Sequence, residues 1–345
     1  MPRPRLAAPL RRTIQIGMFG VAGVLCAPAW CDDAVLTDRH VPAQYRREKT
    51  ETAVDNFPYQ GLTVVKSGSS AGATKRQAIA ELPLDRLPME QRQKVQAVVD
   101  GLGLYRRLPS ISFEVDRDVY AFFLQNPDVA VSSWRAMGIS KFTISEIGPH
   151  VYQADAGDGS QGSVEVFYAT PEDTLIFCRG AFKSPLVSKP IVANSVMRVQ
   201  AKFERLPDGR IQATHHGDVY VEFPSQTVET VAKLISPVSH VIADRNFKQL
   251  TFFAHMMTVA MARQPGWIEA LAERMDDLDD RQRTEFLKLS AATYVAARQR
   301  EAATLGQTLS VEELLRPLRQ VSATDAERPA GVKLATPAAG APSLK

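Results

Sequence analysis

Six side chains in this 345-residue sequence are of types and spacings that could hold or act on a ligand: Glu165, Arg179, Met197, His215, Phe253 and Met257. Arg179 carries the sharpest chemical constraint. On a strand of period 2 it shares the phase of Leu175, Phe177 and Ala181. A guanidinium on a buried face needs a carboxylate or an anionic ligand headgroup, because an unpaired buried charge is very costly. A bulge or an edge position that lets the side chain reach solvent would remove that need. Glu165, on the neighbouring run 163–168, is the nearest carboxylate.

His215 and His216 invite a metal or catalytic reading. Strand alternation puts His215 inside with Ala213, Val219 and Phe223, and His216 outside with Thr214, Asp218 and Tyr220. Rings that face apart cannot clamp one metal. His215 alone could orient a ligand or act as a base, although a half-buried histidine is commonly a satisfied part of a core or rim. A cyclase- or hydrolase-like reading would draw on His215, Glu165, Tyr168 and Asp218, and these nominate no substrate. Phe253 and Met257 share a stripe with Phe247, Met256 and Met261. An unbranched, polarisable thioether suits an adaptable pocket wall, and the same residues also pack ordinary cores.

Other chemistry is missing from the pattern. Gly157-Asp158-Gly159-Ser160 lacks the lysine of a P-loop, and neither Gly-x-Ser-x-Gly nor His-Glu-x-x-His occurs. Asp276-Asp277 and Asp279-Asp280 flank Leu278 at a helix junction, where capping and solvation explain them without calcium. No Cys-x-x-Cys spacing points to zinc. No metal and no cofactor is expected. Lys141, Lys183, Lys189 and Arg198 are scattered among acids, so no nucleic-acid partner is expected either.

The elements that would position these residues follow from periodicity. Pro88-Met89-Glu90-Gln91 opens a helix with Val95, Val98, Val99 and Leu102 on one face. Ser110 to Val115 alternates as a strand, and Asp116 caps a helix with an aromatic face that breaks near Asn126-Pro127. A second short helix from Asp128 ends at Gly138. Strands 142–147, 151–154, 163–168 and 174–182 follow. A long pair, 194–204 and 210–223, comes next, joined at Asp208-Gly209, a strong hairpin signal. The sheet is therefore antiparallel and half-buried. A long helix is capped by Ser225, starts near Thr227, kinks at Pro237 and ends at Gln264-Pro265-Gly266. Helices over 267–277, 280–301 and 310–319 form an appendage.

Residues 1–29 read as a signal peptide. Arg3, Arg5, Arg11 and Arg12 precede the apolar run 14–26, and Ala27-Pro28-Ala29 fits a peptidase site. A retained membrane anchor is the competing reading, which the shortness of the run disfavours. The chain holds 41 basic and 38 acidic residues, and removing the four leader arginines leaves 37 against 38. The mature protein is near neutral, so its charge argues for no polyanionic partner. Of the cysteines, Cys31 and Cys178 would remain, either paired or as two free thiols. Residues 30–87 read as a weakly ordered arm, with Lys66-Ser67-Gly68-Ser69-Ser70-Ala71-Gly72 as a linker, and 321–345 as a disordered tail.

The order Ile111–Val115, then 117–137, then strands from Phe142 to Phe223, then 225–261, resembles the START-like, helix-grip superfamily, which includes polyketide cyclases and Bet v 1-type proteins. The resemblance covers roughly residues 105–262 and rests on element order, without a signature motif. It implies an α+β fold in which an antiparallel sheet curls around the long C-terminal helix, here spanning 88–264, with 265–320 as a helical appendage. It also implies an elongated cavity for a lipid or other apolar molecule, with strand-borne charges such as Glu165 and Arg179 inside. The expected function is binding, or shuttling, of a hydrophobic molecule by an exported protein in the periplasm or at the cell surface, in transient contact with membranes. The alternatives are an enzyme on the same fold, and a filled domain that serves a structural role or binds a protein partner.

Overall fold

The computed structural model describes residues 60–157, 160–184, 187–224 and 237–308. The leader, the cysteine pair's Cys31, the cap at Ser225, the helix start at Thr227, the helix at 310–319 and the C-terminal tail lie outside the described residues. No helix among the described residues is long and apolar enough to cross a membrane.

The fold is α+β, with one large antiparallel sheet and several C-terminal helices. The strands are β1 (Leu62–Lys66), β2 (Leu102–Arg107), β3 (Ser110–Glu114), β4 (Thr143–Gly148), β5 (Val151–Asp155), β6 (Gln161–Ala169), β7 (Asp173–Ser184), β8 (Val187–Arg205) and β9 (Ile211–Glu222). Their order across the nine-stranded sheet is β1-β3-β9-β8-β7-β6-β5-β4, with β2 also on β9. Strands β2 and β3 are two halves of one run along β9, Arg107 facing Asp218 and Ile111 facing His215. Pro109 separates them because it has no N–H to give the ladder. The β8–β9 hairpin turns at Gly209, whose φ of 80° is open to glycine at little cost.

The helices are α1 (Gly72–Ala80), α2 (Met89–Asp100), α3 (Arg117–Gln125), α4 (Pro127–Ala136), α5 (Pro237–Arg263, its described part), α6 (Pro265–Glu273) and α7 (Asp280–Thr304). Asp116 caps α3, its carboxylate accepting from the backbone N–H of Asp118 and Val119. Asp279 and Gln282 form a capping box at the start of α7. The expected kink at Pro237 turns on residues 225–236, which lie outside the described residues.

Both faces of the central sheet are covered. On one face α5 buries Ala243, Phe247 and Ala254 against Leu108, Ile111, Phe113, Met197, Ala201, Ala213 and Val219. That core continues past α5 into Trp134, Phe253, Met257, Met261, Ile268 and Phe286, joining α3, α4, α6 and α7 to β5 and β6. On the other face Ala78, Leu82, Val95 and Val98 of the N-terminal helices bury Tyr105, Leu175, Phe177, Val196 and Tyr220.

This second layer corrects two expectations. Within the stretch read as an arm, β1 pairs with β3, Ser69 bridges to Arg107, and α1 buries Ala78. The face expected to look outward is also interior there: Asp218 is 2% exposed and Tyr220 is fully buried. Residues of the linker-like run meet the sheet because Gly68 packs where a Cβ would strike Arg107 O and the side chains of Arg106 and Asp244.

Candidate functional site

The six candidate residues do not converge. Alternation across β6, β7, β8 and β9 sends them to opposite faces: Met197 and His215 toward α5, Glu165 and Arg179 toward α2. Glu165 stands opposite Phe177 and Arg179 opposite Ser163, so the two are diagonal neighbours on one face and not a cross-strand pair. Glu165 is held by Lys94 of α2 at 2.8 Å, and that hydrogen bond raises the lysine's pKa. Arg179 is exposed. Its phase with Leu175 and Phe177 is as read from the sequence, yet it lies where that face is open to water, so it needs no buried counter-ion.

His215 is 4% exposed and fully engaged. Thr251 Oγ1 donates to the Phe247 carbonyl at 2.8 Å and so accepts from His215 Nε2–H at 2.7 Å. The Tyr120 hydroxyl donates to Nδ1 at 2.9 Å. The ring stacks on Phe247, with centroids 4.6 Å apart, and meets Phe113 at 4.8 Å. Gly217 leaves space for this packing, since a Cβ there would come within 3.1 Å of Leu108 and 3.2 Å of Met197. Burial, followed by the nearby charge of His216, pushes the His215 pKa down to about 3. A neutral ring with both nitrogens occupied offers nothing to a substrate. Met197, Phe253 and Met257 are buried packing residues, Phe253 edge-on to both Phe123 and Trp134. The interior between α5 and the sheet at these positions is filled by protein.

Sequence reading missed a polar network beneath α1. Arg107 grips Asp218 with two hydrogen bonds of 2.9 Å, and the Tyr105 hydroxyl donates to the same carboxylate at 2.6 Å. Arg198 holds Asp173 in the same forked way at 2.8 and 2.9 Å, and also donates to the Glu81 carbonyl. Tyr168 donates to Asp173 at 3.1 Å. Hydrogen bonding to Asp218 raises the Arg107 pKa, and burial raises that of Tyr105. The i,i+2 spacing of Arg198 and Gln200, or of His216, Asp218 and Tyr220, signalled one strand face; nothing local told that helices cover it. Cys178 is a free buried thiol with its pKa pushed up to about 12 by burial.

The open space lies elsewhere. A cleft of about 660 Å3 is lined by Phe122, Gln125 and Asn126 at the end of α3, His150, Val166 to Ala169 of β6, and Glu285 and Lys288 of α7. A bulge between Val166 and Tyr168 shifts the β6 register there and re-aims its side chains. His150 has φ 58°, the one positive value at a non-glycine among the described residues. Its carbonyl accepts from Val166 N at 2.9 Å, and its N–H donates to Glu146 at 3.2 Å. A smaller cleft of about 310 Å3 at Ser132, Ser140, Lys141, Arg274, Asp276 and Asp277 is polar, and there Arg135 pairs with Asp277.

No family model matches the chain, and no curated protein matches it. Among solved structures, a conserved protein from Geobacillus kaustophilus is 17% identical, covering 43% of this chain and 96% of that one with a TM-score of 0.26. A hypothetical protein from Helicobacter pylori is 11% identical over 44% and 85%, TM-score 0.27. An uncharacterized protein from Rhizobium leguminosarum is 14% identical over 44% and 95%, TM-score 0.26. Likeness of this degree carries no argument about function.

Proposed function

We propose that this chain is an exported binding protein for an apolar small molecule, built on a helix-grip plan, with the ligand held in the cleft at the end of α3 rather than beneath α5. The observation that carries the reading is the cleft itself. Its volume of about 660 Å3 lies within the ~300–1,000 Å3 typical of ligand pockets. Phe122, Val166 and Ala169 give it an apolar wall, and Gln125, Asn126, His150, Tyr168, Glu285 and Lys288 line it with polar groups. The run β3, α3, α4, β4 to β9, α5 supports the helix-grip plan, and the basic-then-apolar leader supports export and contact with membranes. Catalysis is disfavoured by the full occupation of both His215 nitrogens.

Titration with the neutral fluorophore N-phenyl-1-naphthylamine tests this. Saturable uptake, lost on Ala169→Trp with the melting temperature kept, is the expected result. Uptake unaffected by that substitution, or no uptake together with an empty protein in native mass spectrometry, would defeat it.

A further inference from the structure

The lining of the same cleft specifies more than apolarity, and a headgroup preference drawn from it rests on the cleft being the ligand site. Five polar side chains other than Tyr168 stand around it: Gln125, Asn126, His150, Glu285 and Lys288. Three of them already have partners. The Gln125 amide donates to the Ala169 carbonyl at 3.3 Å, and the Asn126 amide donates to the Phe122 carbonyl at 2.9 Å. Glu285, the one acid in the lining, faces Arg281 one helical turn away at 3.5 Å. Lys288 has no ion-pair partner among the described residues. His150 is held at positive φ by the backbone bond to Val166 and the hydrogen bond from its own N–H to Glu146. The donors left for a ligand are therefore the Lys288 ammonium and the His150 imidazole, both on exposed residues that line the cleft beside Phe122, Val166 and Ala169.

We propose that the cleft takes an amphipathic anion, an acyl or alkyl chain against Phe122, Val166 and Ala169 with its carboxylate or phosphate head on Lys288 and His150. A cationic head is disfavoured because the one carboxylate in the lining is shared with Arg281. Lys288 is exposed, so its ammonium stays hydrated beside a neutral head, whereas an anionic head would gain a charge-assisted hydrogen bond from it.

Isothermal titration of the full-length protein with dodecanoate, dodecyl phosphate and dodecanol separates the possibilities. Dodecanoate or dodecyl phosphate should bind about tenfold more tightly than dodecanol, and Lys288→Gln should remove that advantage, bringing the three affinities together. Which anion binds better identifies the head as carboxylate or phosphate. Ala169→Leu, which narrows the cleft without touching a charge, should weaken all three together. Equal affinities for the anions and the alcohol would overturn the headgroup assignment and leave the apolar cleft standing. Binding of none of the three, or binding indifferent to Ala169→Leu, would overturn both.

Discussion

The two sides of the central sheet bury their strand residues by different means. Toward α5 strands β8 and β9 present Met197, Val199, Ala201, Ala213 and Val219, and His215 among them is kept neutral between Tyr120 and Thr251, while Arg106 of β2 forks onto Asp244 of α5. Toward α1 and α2 the same strands present Arg198, Asp218 and Tyr220, and the charges there are cancelled pairwise by forked hydrogen bonds. Along β8 and β9 the first side is held by volume and shape. The second is held by matching, so each member there is dispensable only together with its partner.

The largest effects should expose that contrast. Phe253→Ala removes a buried ring from between Phe123 and Trp134 and should cost about 3–5 kcal/mol in a urea melt. Asp218→Ala should cost a similar ~3–5 kcal/mol, because it strands the Arg107 guanidinium and the Tyr105 hydroxyl. The double change Arg107→Met with Asp218→Leu should restore most of that loss, since a buried pair exchanged for apolar groups of like volume is often neutral or better. A double variant as unstable as Asp218→Ala would show that the pair does more than cancel itself.

These same residues mark how far the sequence could be read. Element order from β3 to β9, the Asp116 cap, the Asn126-Pro127 break, the Gly138 stop and the Asp208-Gly209 hairpin were legible because each is decided within a few residues, whereas β1, α1 and β2 were not read. The phase of Arg179 was also legible, and so was the pairing of His215 with the apolar face. What alternation cannot tell is which face a distant segment will cover. Residues 62–87, polar and rich in turns, gave no sign that they pack on β7, β8 and β9, so Asp218 and Tyr220 read as solvent-facing and Glu165 as a cavity charge. The α3–β6–α7 cleft was invisible for the same reason, since it is built by α7 lying against a bulge about 120 residues earlier in the chain.

A middle-sized effect should come from pH, and on the α5 side it is carried by His215. The folded-state pKa of His215 is depressed to about 3 from the ordinary 6.5. The unfolded chain therefore binds the extra proton between those values, and the residue's stabilising effect is complete above about pH 6.5 and lost as pH falls toward 3. The slope of stability against pH in that window, up to ~1.4 kcal/mol per unit from this residue, should flatten in His215→Gln. An unchanged slope would show that protonation of His215 is not coupled to unfolding.

Tyr120→Phe is smaller, about 1–3 kcal/mol, because it leaves the buried Nδ1 acceptor of His215 without its donor while keeping the ring contacts with Phe113 and Phe203. The smallest effect belongs to the surface. Arg117 pairs with Glu172 where both side chains are about half exposed, at 48% and 49%. Water screens such a pair nearly as well as its partner does, and ordering two long side chains offsets most of the attraction. Arg117→Gln should thus stay within about 0.5 kcal/mol of the parent in the same melt. The forked Arg107–Asp218 pair has the same chemistry and differs in the cover supplied by α1, so a loss at Arg117 approaching that at Asp218 would mean that burial is not what separates the two.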